Sequence, residues 1–142
     1  RCSVRSIRRN RQRRRPRPWC ETQAVYHRSL FDIVMDTGRS VGELTRAMQD
    51  EHELFASTLT LRAVEAQLLI MAHTLGNLTP ALHQQLLQVD WLGWAALHDK
   101  LRHGVQPRRE EIWYAVNGLV PQTMGLMADL RRRQPVWFET GY

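Results

Sequence analysis

The segment Leu97-His98-Asp99-Lys100-Leu101-Arg102-His103-Gly104-Val105 concentrates the side chains best able to do chemistry. Two imidazoles five positions apart fall where an amphipathic helix ends, with a carboxylate and a guanidinium between them and a glycine that can terminate the helix after them. Imidazole titrates nearest neutral pH, so His98 and His103 suit an acid/base pair, one ring neutral as base and the other charged as acid. Asp99 is expected to raise the proton affinity of His98 beside it. Arg102 is the nearest fixed cation, although adjacent helical residues point about 100° apart, so its guanidinium has to reach around to serve His103. A second reading stays open: a decayed site in which both rings are polar fillers at a seam between subunits.

Other chemical patterns are missing from the chain. There is no glycine-rich phosphate loop, no His-Glu-x-x-His, no pair of closely spaced cysteines and no Gly-x-Ser-x-Gly turn. His73 and His83 fall on different expected helices without carboxylates at ligand spacing, so neither a metal nor a cofactor is expected. Met71, Met124 and Met127 read as core fillers, and Trp91, Trp94 and Trp113 as packing area before base-stacking platforms.

The elements that would position these groups are all helical. Leu30, Ile33, Val34, Val41, Leu44 and Met48 recur at three- and four-residue spacing, which predicts a helix of about 22 residues from Tyr26, closed by Asp50 and Glu51. A second, central helix carries Leu54, Leu61, Val64, Leu68, Met71 and Leu75 and is expected to stop at left-handed positions supplied by Gly76-Asn77. Thr79-Pro80 pairs a capping hydroxyl with a proline at the first helical position, opening a short helix from Ala81 to Val89. Asp90 can cap a fourth helix from Trp91 to about His103. A fifth, opened by Gln106-Pro107, carries Ile112, Val116, Leu119, Val120, Met127 and Leu130, is bent by Pro121 and ends on Arg131, Arg132 and Arg133. No segment alternates with period two, so the expected class is all-α, an antiparallel bundle of about four to five helices.

Length and charge bound the rest. A chain of 142 residues can bury a core without disulfides, and no apolar run approaches the roughly eighteen residues needed to span a bilayer. The formal charge of +6 is uneven: nine arginines and no acid precede Trp19, leaving eleven basic side chains against all fourteen acids in the remainder. Residues 1–23 therefore read as an Arg/Pro-rich disordered tail suited to phosphate contacts, or as the product of reading a coding sequence from too far upstream. Residues 24–142 read as one helical domain. Cys2 and Cys20 could pair, but no cysteine framework runs through the body, and a reduced, cytoplasmic setting is expected.

From about Tyr26 to Leu130 the chain resembles the HepT-like HEPN family, the toxin half of bacterial HepT/MNT toxin–antitoxin systems. The resemblance rests on Ala63-Val64 in the central helix, Leu78-Thr79-Pro80-Ala81-Leu82 before the short helix, and Asp90-Trp91 where the family has Pro-Trp. It continues through Leu97 to Val105, where the family has Met-Arg-Asn-x-x-x-His-Gly-Tyr, and through Glu111-Ile112-Trp113, Val116 and Leu119-Val120-Pro121.

The resemblance implies a HEPN-like homodimer and a type VII-like module: a metal-independent RNA endonuclease controlled by a minimal nucleotidyltransferase antitoxin. The Arg and His of the motif would meet their counterparts at a cleft near the two-fold axis. In this chain His103 and Gly104 match, whereas His98 replaces the motif Arg, Asp99 the Asn, and Val105 the Tyr. Ala66-Gln67-Leu68-Leu69 also stands where relatives carry a polar Arg-Asn-x-Glu cluster. The expected catalytic set is His103, His98, Asp99 and Arg102. Val105 has no oxygen to accept the AMP that such antitoxins transfer to the motif tyrosine, and Tyr114 reads as an interfacial or core aromatic. The alternative is a catalytically degenerate module that dimerises and binds a nucleotidyltransferase or nucleotide without cutting RNA.

Overall fold

A computed structural model describes residues 21–139. The arginine-rich tail, Cys2 and Cys20 lie outside the described residues. Within them the chain is all-α, without strands. Its elements are α1 (Glu21–Thr45), α2 (Glu51–Ala56), α3 (Thr58–Gly76), α4 (Pro80–Gln84), α5 (Trp91–Arg102), α6 (Arg109–Tyr114), a π-helical turn (Ala115–Leu119), α7 (Val120–Arg133) and a closing 3-10 turn (Pro135–Trp137).

Helix α1 starts five residues before the expected Tyr26 and buries Ala24, His27, Leu30, Phe31, Val34, Thr37 and Val41 at i, i+3, i+4 and i+7 spacing. Ile33, assigned to that stripe from its spacing, faces outward at 39% exposure, and Phe31 takes the inward place. Thr37 and Thr45 fit the buried face because each hydroxyl donates to a carbonyl one turn back.

The Tyr26 hydroxyl near the start of α1 donates to the Asn77 carbonyl just past α3, at 2.9 Å. That bond sets the start of α1 beside the end of α3, and the two helices make the most extensive helix–helix packing among the described residues. Leu54 and the Leu61–Leu75 stripe belong to two helices rather than one. The chain breaks at Ser57, whose non-helical ψ of 86° interrupts the helix, and Asp50 caps α2 by accepting from the Glu53 N–H at 3.0 Å instead of closing α1.

Helix α3 ends differently from expectation. Gly76 remains helical and Asn77 sits at φ −98°, its N–H tightening onto the Thr74 and Leu75 carbonyls. Among the described residues only Gly104 has a positive φ. Thr79 does cap α4 through the Leu82 N–H, at 3.2 Å, but α4 stops at Gln84 and hydrogen-bonded turns carry the chain to Val89.

The last long element starts at Arg109 rather than Gln106-Pro107, and Pro121 is accommodated by the π turn just before it. There the Val120 N–H reaches five residues back to Ala115, widening the helix ahead of a proline that lacks a donor and would crowd the carbonyl four residues earlier. Trp94, buried at 3% exposure, ties α5 to α7 by donating to Thr123 at 2.9 Å. No helix of the described residues is long and apolar enough to cross a membrane.

Candidate active site

The end of α5 and the turn after it carry the candidate residues. Arg102 is the last helical residue and His103 the C-cap. Gly104, at φ +72°, adopts the left-handed conformation that a side chain would strain, so the sequence places a glycine where the chain must reverse. The Val105 N–H bonds the Lys100 carbonyl at 2.8 Å and the Gly104 N–H the Leu101 carbonyl at 3.3 Å, a Schellman closure of the helix. Lys100 then grips both carboxylate oxygens of Glu111 on α6, at 2.7 and 2.6 Å, pinning the far side of the turn. That ammonium is the main reason the Glu111 carboxyl sits below its ordinary pKa.

The two histidines meet different surroundings. His103 is held over its own helix end, its Nδ1 2.9 Å from the Asp99 carbonyl and 3.3 Å from the Asp99 carboxylate. A carbonyl can only accept, so Nδ1 carries a proton, and in the neutral form of the ring, which is 56% exposed, the lone pair then lies on Nε2.

His98 is half-buried and turned toward α3, where its ring lies 6.1 Å from that of His73. Burial holds the His98 ring below the ordinary imidazole pKa, and Arg102 and His73 push the same way. Asp99 pulls upward, as expected from its position, but does not prevail. The expected rise in His98 proton affinity is thus reversed, because partial desolvation, the Arg102 guanidinium and the neighbouring imidazoles of His73 and His103 outweigh one exposed carboxylate. Asp99 serves His103 instead.

The packing of α3 against α5 brings His73 to His98. His83 does go elsewhere, stacking on Trp91 with ring centroids 4.0 Å apart. Among the described residues no group of three or more His, Cys, Asp or Glu side chains comes together to hold a metal. Trp91 and Trp94 spend their indole N–H groups on the Leu86 carbonyl and the Thr123 hydroxyl, as packing residues do. Tyr114 donates to Asp90 at 2.7 Å from an exposed position.

A cavity of about 260 Å³ opens beside the turn, between α3 and residues 104–107. Arg62 and Glu65 of α3 line it together with Gln106. Neither charged residue stands out in the sequence, because the i, i+3 spacing of Arg62 and Glu65 looks like an ordinary solvated helix face. No family model matches the chain, and no curated protein or solved structure does either.

Proposed function

We propose that this chain is a HepT-like HEPN-fold toxin of a type VII-like toxin–antitoxin module, acting on RNA as a metal-independent endonuclease. The observation that carries this reading is the Asp99–His103 arrangement, which in the neutral ring fixes one tautomer and leaves Nε2 exposed at the end of α5, one residue before the Gly104 turn that lines an open cavity. The motif-like order of residues from Leu97 to Val105 gives it direction. In the proposed reaction His103 Nε2 takes the proton of an RNA 2′-hydroxyl, the 2′-oxygen attacks the adjacent phosphorus, and the 5′-oxygen leaves. The products are a 2′,3′-cyclic phosphate and a 5′-hydroxyl, with the leaving oxygen protonated by a second acid.

Arg102, exposed at the helix end, supplies charge for the phosphate in place of the missing motif arginine. The bundle is proposed to be HEPN-like and antiparallel, and to act as a homodimer that brings the ends of α5 from two copies to one cleft. The partner is a nucleotidyltransferase-type antitoxin, which must silence this chain by contact because Val105 offers no acceptor oxygen.

A second reading is favoured by His98. Its depressed pKa and its turn toward His73 remove it as a cation for phosphate, the position where the motif needs one. A catalytically degenerate module that binds an antitoxin or nucleotide follows if that charge is indispensable.

The discriminating experiment incubates the purified protein with single-stranded RNA under chelation, beside His103→Ala. Loss of full-length RNA that the variant abolishes supports the nuclease. Intact RNA at several-fold molar excess of protein supports the module, and equal cleavage by the variant overturns the proposed mechanism.

A further inference from the structure

The cavity beside the Gly104 turn carries two opposite charges that do not neutralise each other. Arg62 and Glu65 stand three residues apart on α3, the spacing at which such pairs commonly meet, yet Glu65 accepts from Gln106 Nε2 at 2.6 Å across the cavity mouth. Gln106 spends its amide further on the Pro107 carbonyl at 3.3 Å, so its N–H groups are occupied and its own oxygen remains an acceptor. Among the described residues Arg62 makes no ion pair or hydrogen bond. Between these groups the wall is apolar, built by Ala66, Leu69 and Val105.

That combination selects a ligand. The volume is below the range of about 300–1,000 Å³ that holds drug-sized molecules, and it suits one planar ring system on an apolar bed. The polar edge offers acceptors, so the ring must present donors, and a carboxylate is matched best by two adjacent N–H groups. Among the standard bases only guanine has them, at N1 and N2. Adenine and cytosine pair one amino group with a ring-nitrogen acceptor that a carboxylate repels, and uracil has a single N–H. The Arg62 guanidinium, exposed on the same wall, is the group that can take an anion attached to the ring.

We infer that this cavity is a guanine-nucleotide subsite, with Glu65, held by Gln106, reading the N1–H and N2–H edge and Arg62 binding the attached phosphate. It rests on the proposed action on RNA for its biological use: a guanine seated beside Gly104 places its strand next to His103, so the subsite chooses where the strand is cut. Its test does not depend on cleavage.

Calorimetric titration under chelation compares GMP, AMP, CMP and UMP on the wild type, Glu65→Gln and Arg62→Ala, each also assayed for RNA cleavage. The wild type is expected to bind GMP about tenfold or more tightly than the other three, the equivalent of one or two well-made hydrogen bonds. Glu65→Gln reduces that preference to within about threefold while keeping phosphate affinity, and Arg62→Ala weakens all four nucleotides alike. Equal affinities in the wild type, or no GMP binding at millimolar concentration, overturn the subsite whether or not RNA is cut. Guanine-selective binding without any RNA cleavage keeps the subsite and overturns the nuclease.

Discussion

His27 and Thr79, 52 residues apart, share a hydrogen bond of 2.8 Å that joins α1 to the cap of α4. The other ring nitrogen, Nδ1, lies 3.0 Å from the Trp137 carbonyl. Because that carbonyl accepts, Nδ1 carries the proton, and the Thr79 hydroxyl donates to Nε2 while accepting from the Leu82 N–H. One neutral imidazole, fully buried, thus stitches the first described helix, the α3–α4 turn and the Pro135–Trp137 turn together.

This buried ring gives the fold a pH dependence. Burial holds His27 below the ordinary imidazole pKa, with the Trp137 bond only partly offsetting it. As pH falls below about 6.5, the unfolded chain takes up the proton before the folded one. Stability is therefore full above that range and declines as pH drops through it. Urea unfolding at pH 7.5 and pH 5.5 should show the loss, and His27→Phe should reduce the difference while costing about 1–3 kcal/mol at pH 7.5 through its lost hydrogen bonds. An identical pH difference in the variant would assign the effect to other groups.

The Trp94–Thr123 bond should behave as a coupled pair. Thr123→Val leaves a buried indole N–H without an acceptor and should cost about 1–3 kcal/mol, whereas the same substitution in a Trp94→Phe background should cost less than about 1 kcal/mol. Additive losses in denaturant titrations would contradict this.

Asp90 has two tasks at the start of α5. It accepts the Gly93 N–H at 2.9 Å and the Tyr114 hydroxyl at 2.7 Å, and the tyrosine is the larger cause of its depressed carboxyl pKa. Its contribution is present above the ordinary aspartate range, near 3.9, and is lost as pH falls through the lower folded value. Asp90→Ala should cost about 0.5–2 kcal/mol at pH 7 as a lost cap, with the deficit shrinking near pH 2. Thermal melts at the two pH values check it.

At the site, Asp99 and His103 should separate in severity. His103→Ala should abolish RNA cleavage with an unchanged circular dichroism spectrum. Asp99→Ala keeps the backbone carbonyl that bonds Nδ1 and removes only an exposed carboxylate at 3.3 Å, an interaction of about 0–1 kcal/mol. Cleavage should fall by no more than about tenfold. A larger fall would show that the carboxylate, rather than the carbonyl, sets the tautomer.

The sequence by itself determined the helical class, the Thr79 and Asp90 caps, the stop at Gly104 and the arginines closing α7, because periodicity, capping and left-handed turns are set by neighbours within about one turn. It placed His103, Asp99 and Arg102 on one helix end for the same reason. Only the tertiary structure decided which partners those residues meet. Burial, which only packing supplies, lowered the His98 pKa where its neighbour Asp99 alone predicted a rise, with Arg102 on the same helix and His73 from α3 acting in the same direction. Packing likewise turned Phe31 inward instead of Ile33, seated His27 in the core, and set Arg62 and Glu65 beside a turn some forty residues away. Desolvation and contacts between helices depend on how the faces are assembled, and local spacing carries no record of that assembly.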